Sequence, residues 1–110
     1  MTITELQKEI HDTAKSKGWW DAPRNIGELI ALTHSELSEA LEEVRAGVIL
    51  TDIALNIDTN KPQGFPIELA DIIIRVLDIA ADLGVDFEQA INIKMAYNKT
   101  RLYKHGGKAF

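Results

Sequence analysis

Residues 66–83, PIELADIIIRVLDIAADL, decide the fold of this 110-residue chain. A proline at the start and Gly84 just beyond the end are typical of the two ends of a helix. Its charged positions are Glu68, Asp71, Arg75, Asp78 and Asp82. At helical pitch these fall in one stripe roughly 80° wide, and the rest of the circumference is apolar. Such a helix must be covered on several sides, so we predict a central bundle helix completed by a second subunit.

A second amphipathic helix precedes this segment. It is predicted to begin at Arg24 or Asn25 and to run to about Ala46, with Gly47 just beyond. Its apolar residues form one broad arc, and Glu36, Glu39 and Glu43 form an acidic stripe at the edge of that arc. His34 lies about 160° around the helix from Glu36, so we expect it at the surface or at an interface.

Two further helices are predicted at the ends of the chain. The sequence Thr2-Ile3-Thr4-Glu5 has the form of a capping box and starts a helix over about residues 3–17. Asp86, with Gln89 three residues later, starts the fourth helix. Between the second and third helices, residues 47–65 combine apolar residues with turn-forming ones. There we expect a short helix or an extended turn, then a mobile loop that serves as a lid or a dimer contact.

These elements predict one all-α domain over residues 1–110, with a bundle-like protomer of four main helices. Assembly as a homo-oligomer is expected, with a dimer as the simplest case and a tetramer as the alternative. The N-terminus lacks the features of a signal peptide, and no run of 18 apolar residues occurs. We therefore expect a cytoplasmic protein with no membrane partner.

Charge and cysteine content narrow the function. Seventeen acidic and 12 basic residues give a net charge of −5, which disfavours binding to long nucleic acid. A nucleotide is still a possible ligand, because a bound metal can invert the local field. The chain has no cysteine, which excludes disulfides and thiolate metal sites.

Two pairs of carboxylates carry the chemistry. Glu36 and Glu39 stand three residues apart, as do Glu68 and Asp71, so each pair projects from one helix face. If their helices pack antiparallel, the four carboxylates meet. That cluster is unfavourable without a cation, and carboxylates without His or Cys suit Mg²⁺ or Mn²⁺. The alternative is a buried salt-bridge network in which Arg75 and Arg45 neutralise the acids.

Aromatic and basic residues suggest how a substrate is held. Trp19 and Trp20 lie in the loop after the first helix, either as a core plug or as a stacking wall for a nucleobase. Lys94, Asn98 and Arg101 share one face of the fourth helix, which is either solvated surface or a phosphate-binding face. A basic tail over residues 105–110 contains Lys108.

The motif Glu36-x-x-Glu39 followed by Glu68-x-x-Asp71 resembles the metal signature of the MazG-like nucleoside triphosphate pyrophosphohydrolases, which are all-α enzymes. The basic face of the fourth helix is similar to the last helix of that family. The resemblance covers roughly residues 3–108, although the insertion at 47–65 is long for the family. It implies hydrolysis of a nucleoside triphosphate to the monophosphate and pyrophosphate with Mg²⁺, for house-cleaning of the nucleotide pool.

The resemblance also implies residue roles. Glu36, Glu39, Glu68 and Asp71 would hold the metal. Lys94, Asn98, Arg101 and Lys108 would contact phosphate or sugar, and Trp19 or Trp20 would line the base pocket. A glutamate that is not fully used as a ligand can take the proton of the attacking water, with Glu39 the first candidate and Glu43 the second.

Several alternatives stay open. Within the enzyme class, the sequence does not distinguish a dUTPase, a dCTPase and an enzyme with a general dNTP preference, and the same fold also allows a phosphoribosyl-ATP pyrophosphohydrolase. Outside that class, the chain is a non-catalytic helical oligomerisation protein, or a sensor that binds nucleotide without turnover.

Overall fold

The computed structural model describes residues 1–109, apart from the side chain of His105. Four helices dominate it: α1 (Ile3–Ser16), α2 (Ile26–Arg45), α3 (Phe65–Asp82) and α4 (Phe87–Thr100). A single turn, α5 (Lys104–Gly107), follows α4. The predicted all-α fold is confirmed, and the boundaries of the predicted helices agree to within one or two residues. The last residue of the predicted tail over 105–110 lies outside the described part.

The helix starts are fixed by the capping residues that the sequence indicates. Thr2 Oγ1 accepts a hydrogen bond of 3.1 Å from the backbone N–H of Glu5, at the start of α1. Asn25 caps α2 and Asp86 caps α4 in the same way, each through a side-chain oxygen that accepts from the N–H three residues later. Each of these bonds satisfies a backbone donor that has no partner within its helix.

Residues 47–63 differ from the prediction, because they contain a β-hairpin where only a short helix or a turn was expected. Strand β1 (Ala54–Leu55) pairs antiparallel with β2 (Pro62–Gln63). The turn between them depends on Asn56, whose Oδ1 accepts from the N–H groups of Asp58 and Thr59 at 2.9 and 3.0 Å. Asn60 adopts a positive φ of 60°, a conformation that asparagine tolerates well.

Gly64 joins the hairpin to the start of α3 at a very close backbone approach. Its φ is 126°, and a Cβ at this position would lie 2.4 Å from the carbonyl oxygen of Asp52. No side chain fits at that distance, so glycine is required here. The segment before the hairpin is thereby held against the N-terminal end of α3.

The core of the single chain is small. Among the described residues, the buried apolar side chains are Leu29 and Ala40 of α2 and Leu77 and Ala80 of α3. Helix α3 packs against both α1 and α2, whereas α4 contacts α1. The radius of gyration is 16.7 Å, compared with about 13 Å for a compact chain of this length.

Much of the apolar surface of α2 and α3 is therefore exposed. Leu37 of α2 is 51% exposed and Ile73 of α3 is 54% exposed. This pattern is expected if a second subunit covers these faces. Homo-oligomerisation stays a prediction, and the exposed apolar faces of α2 and α3 are the predicted interface. Within residues 1–109, every helix lacks the combination of length and hydrophobicity that a bilayer-crossing segment requires.

Candidate metal centre and adjoining cavities

Three of the four predicted carboxylates converge where α2 crosses α3. Glu36 and Glu39 of α2 and Glu68 of α3 each offer an oxygen, and these oxygens lie within 4.8 Å of one another. The Glu36 side chain is only 12% exposed, whereas Glu39 is exposed. The convergence follows from the spacing of three residues, which directs both α2 glutamates toward α3.

Glu68 is the least satisfied member of this carboxylate cluster. Its Oε2 is buried and has no hydrogen-bond partner. Burial raises the pKa of Glu68 above its usual value, and the neighbouring Glu39, Asp71 and Glu36 raise it further. A buried carboxylate oxygen without a hydrogen-bond donor destabilises the folded protein unless a positively charged group or ion binds to it.

Asp71 joins the cluster electrostatically. Burial raises its pKa, and the negative charge of Glu36 adds to that effect. The positive charges of Arg75 and Lys61 act in the opposite direction. The four acids that the sequence singles out therefore interact with one another, although Asp71 lies outside the tight group of three.

The donor set fits a hard divalent cation. It consists of carboxylate oxygens, and one of them is buried and unpaired, as a ligand position would be. The alternative salt-bridge network is only partly present. Arg75 Nε donates to Glu36 Oε1 at 2.8 Å, but Arg45 pairs with the outward-facing Glu42 instead. One arginine against four acids does not neutralise the cluster.

A cavity of about 420 Å³ opens beside Glu36 and Asp71. Trp19, Arg24 and Lys17 also line this cavity, and we call it the tryptophan cavity. The Trp19 indole is 63% exposed, and the Arg24 guanidinium lies 5.9 Å from the centroid of the Trp19 ring. An exposed aromatic face beside a carboxylate cluster can stack a planar ring.

The two tryptophans occupy different environments. Trp20 is half-buried, and its Nε1 donates to both carboxylate oxygens of Asp78 at 3.0 and 3.1 Å. His11 Nδ1 lies 2.7 Å from Asp78 Oδ1 and packs edge-on against the Trp20 ring. Trp20 is thus a plug between α1 and α3, whereas Trp19 faces the tryptophan cavity.

A second cavity, of about 390 Å³, lies on the hairpin side of the cluster, and we call it the hairpin cavity. Glu43 and Glu68 line it from the helices, and Asp52 and Lys61 line it from the inserted segment. Sequence reasoning missed Lys61, because its position depends on a hairpin that the apolar pattern does not indicate.

The basic residues of α4 lie elsewhere in the single chain, and the predicted common face is wrong for Arg101. Helix α4 ends at Thr100, and Arg101 follows it as the C-cap with an extended backbone. The Lys94 ammonium and the Arg101 guanidinium both lie over the ring of Tyr97, at 4.9 and 5.6 Å. Helix α4 is tied to α1 by Glu88, which accepts from the N–H of Ile3 at 3.0 Å. The residues that line the two cavities include none of Lys94, Asn98, Arg101 and Lys108. Within one protomer, the cavities beside the carboxylate cluster are therefore formed without these four residues.

Comparison with known proteins gives one informative relative. No protein-family model and no solved structure matches the chain. A curated protein from cyanophage S-2L, a dATP/dGTP diphosphohydrolase, is 34% identical over 100 residues. The match covers 91% of this chain and 76% of the relative.

Proposed function

Because this chain belongs to the family of the cyanophage S-2L dATP/dGTP diphosphohydrolase, we propose that it is a Mg²⁺-dependent, MazG-like nucleoside triphosphate pyrophosphohydrolase. It would cleave a (deoxy)nucleoside triphosphate to the monophosphate and pyrophosphate. The observation that carries the proposal is the convergence of Glu36, Glu39 and Glu68 around a buried, unpaired carboxylate oxygen.

Glu36, Glu39 and Glu68 would hold the cation, with Asp71 as the fourth acidic group. Mg²⁺ is the first choice and Mn²⁺ a substitute, because both prefer oxygen ligands. When bound, the cation supplies positive charge that neutralises phosphate oxygens and helps to orient water. By compensating the buried negative charge, the cation would also stabilise the folded protein in the absence of substrate.

The chain's own carboxylates can handle the proton of the reaction. Water adds to phosphorus, the bond between the α- and β-phosphates breaks, and pyrophosphate departs. Glu39 is exposed at the edge of the cluster, so it can accept the proton of the attacking water. Glu43 is the second candidate, since it lines the hairpin cavity together with Glu68.

The two cavities suggest how a nucleotide would lie. The triphosphate would sit at the carboxylate cluster, and the base would enter the tryptophan cavity against Trp19. The relative acts on dATP and dGTP, so purine deoxynucleotides are the first substrates to test. The family theme of nucleotide-pool house-cleaning fits this role. Lys94, Asn98, Arg101 and Lys108 would reach the substrate from a second subunit.

The deciding experiment measures pyrophosphate release from a panel of dATP, dGTP, dCTP, dTTP and dUTP, with Mg²⁺ and with chelator. Glu39→Ala and Asp71→Ala should each lower kcat by at least about 100-fold. Glu42→Ala is the matched control, since Glu42 faces solvent one residue from the predicted carboxylate stripe. Activity that survives both site substitutions would contradict the site, and no release from any triphosphate would contradict the function.

A binding protein without turnover is the competing function. Thermal melting separates a metal site from purely structural acids, because a cation that binds the folded state raises the melting temperature by mass action. Millimolar Mg²⁺ should therefore stabilise the wild type and leave Glu68→Gln nearly unchanged. A nucleotide sensor would show the melting shift but release no pyrophosphate.

A further inference from the structure

Lys61 is the basic residue of the inserted hairpin that faces the carboxylate cluster within the same chain. It lines the hairpin cavity together with Glu68, one of the three converging glutamates. Lys61 thus borders the cavity that adjoins the carboxylate cluster, where the phosphates of a substrate would lie.

The backbone around Lys61 is fixed by the hairpin. The carbonyl oxygen of Lys61 accepts from the N–H of Asn56 at 2.9 Å, across the two strands. Strand β2 follows immediately. Gly64, which directly precedes α3, then packs closely against the backbone of Asp52. The backbone that carries Lys61 is therefore held in place, whereas its side chain is exposed.

The chemistry of Lys61 suits an anion that arrives with a metal ion. In the metal-free protein, the ammonium partly balances nearby carboxylates. Once a divalent cation occupies the cluster, that balance is no longer needed, and the cation repels the ammonium. If a polyphosphate is bound to that cation, its negatively charged oxygens can pair with the Lys61 ammonium, since lysine commonly binds phosphate.

We propose that Lys61 is a phosphate-binding residue of this site, contributed by the hairpin in the same protomer as the carboxylates. The inference rests on the proposed function and adds to it a contact that the basic face of α4 does not supply. It also gives the inserted segment 47–63 a role, which is to carry one cationic group to the phosphate side of the carboxylate cluster.

The test uses two ligands that do not require turnover, which are Mn²⁺ alone and inorganic pyrophosphate in the presence of Mg²⁺. Both are measured by titration calorimetry on the full chain. Lys61→Ala should leave Mn²⁺ binding unchanged or tighten it by about two- to fivefold, since a nearby positive charge is lost. It should weaken pyrophosphate binding about tenfold, and Lys61→Arg should retain most of that binding.

Lys99→Ala is the matched control, because it removes one positive charge from a lysine that lines neither cavity. It should change neither affinity by more than about twofold. Melting temperatures of all variants check that folding is intact. In a parallel assay of wild type, triphosphate hydrolysis tests the proposed function separately.

Weaker pyrophosphate binding in Lys61→Ala, together with Mn²⁺ binding that is unchanged or tighter, supports the proposal. Equal weakening of Mn²⁺ and pyrophosphate would assign Lys61 a structural role and overturn it. Unchanged pyrophosphate binding, or wild-type protein that binds none, would also overturn it. If the wild type releases pyrophosphate from triphosphates in these cases, the proposed function survives and only the role of Lys61 fails.

Discussion

Arg75 and Glu36 form the single close ion pair between the carboxylate cluster and a basic side chain in the described part of the chain. Arg75 Nε donates to Glu36 Oε1 at 2.8 Å, and Glu36 is 12% exposed while Arg75 is 36% exposed. Because the pair is partly desolvated, the charge of Glu36 is costly once its partner is removed.

Arg75→Met should therefore lower the free energy of unfolding of the metal-free protein by about 1–2 kcal/mol. Saturating Mg²⁺ should recover part of this loss, because the cation compensates Glu36 in place of the arginine. Urea unfolding with chelator and with Mg²⁺ measures both quantities. Arg45→Met is the control, since its pair with Glu42 at 3.2 Å is exposed and should contribute less than about 0.5 kcal/mol. Equal losses in the two variants would contradict the prediction.

Glu68 should make the stability of the metal-free protein depend on pH. Its folded-state pKa is raised above the ordinary 4.5, mainly by burial. The folded state therefore binds its proton more tightly than the unfolded state does. The resulting stabilisation is fully present below pH 4.5 and is lost as the pH rises through the raised value.

Glu68→Gln removes this titration. The variant should unfold at a higher temperature than the metal-free wild type at neutral pH, and its melting temperature should fall less between pH 4.5 and 7. Added Mg²⁺ should reverse the order, because it stabilises only the wild type. If the melting temperatures of the two proteins in chelator change with pH in the same way, the prediction that folding raises the pKa of Glu68 is wrong.

The carboxylate cluster was predictable from sequence because its geometry is local. Glu36 and Glu39 share one helix face at a spacing of three residues, and Glu68 starts the apolar helix that must pack against them. Once two amphipathic helices are recognised, packing their apolar faces together is expected to bring their acidic residues close to one another. The helix starts at Thr2, Asn25 and Asp86 were predictable for the same reason, since a cap depends on residues within one turn.

The hairpin and the different environments of Trp19 and Trp20 were not predictable in this way. The turn at Asn56 is set by side-chain-to-backbone hydrogen bonds, which leave no apolar periodicity to read. The position of Lys61 depends on that turn. Likewise, Trp20 meets Asp78 across 58 residues of sequence, and no local pattern reveals which of two adjacent tryptophans makes that contact.

Asp78 should be important for attaching the tryptophan loop to α3. Asp78→Ala leaves the Trp20 indole N–H and the His11 ring without their shared acceptor, so it should cost about 2–3 kcal/mol. Tryptophan fluorescence should shift to longer wavelength as Trp20 gains access to water. Asp12→Ala is the control, because Asp12 pairs with Lys8 and Lys15 at the surface. A loss as small as that of the control would mean that Trp20 is held by packing alone.

Leu37 should lie in the subunit interface. An apolar groove formed by Ile30, Leu37, Val76 and Ile79 runs along the exposed side of α2 and α3. Leu37→Arg places a charge in this groove, so sedimentation should shift from dimer or tetramer toward monomer. Ser38→Arg adds the same charge at the next exposed position and should leave the assembly intact. A wild-type monomer at micromolar concentration would contradict the predicted oligomer.

A shared active site should be visible by mixing two inactive variants. In one protomer, Lys94, Asn98 and Arg101 line neither cavity beside the carboxylates, so we expect a second subunit to supply them from its α4 and from the residue that follows that helix. Glu68→Gln and Arg101→Ala should each be nearly inactive, and a one-to-one mixture that exchanges subunits should recover about a quarter of wild-type activity. That fraction arises because half of the dimers are mixed and each mixed dimer holds one intact site of two.

The control for the mixing experiment combines Glu68→Gln with Glu39→Ala, because both substitutions damage the carboxylate half of the site. In that mixture every site lacks one carboxylate, so no activity should return. If Arg101→Ala is also not complemented although subunits exchange, α4 acts on the carboxylates of its own chain.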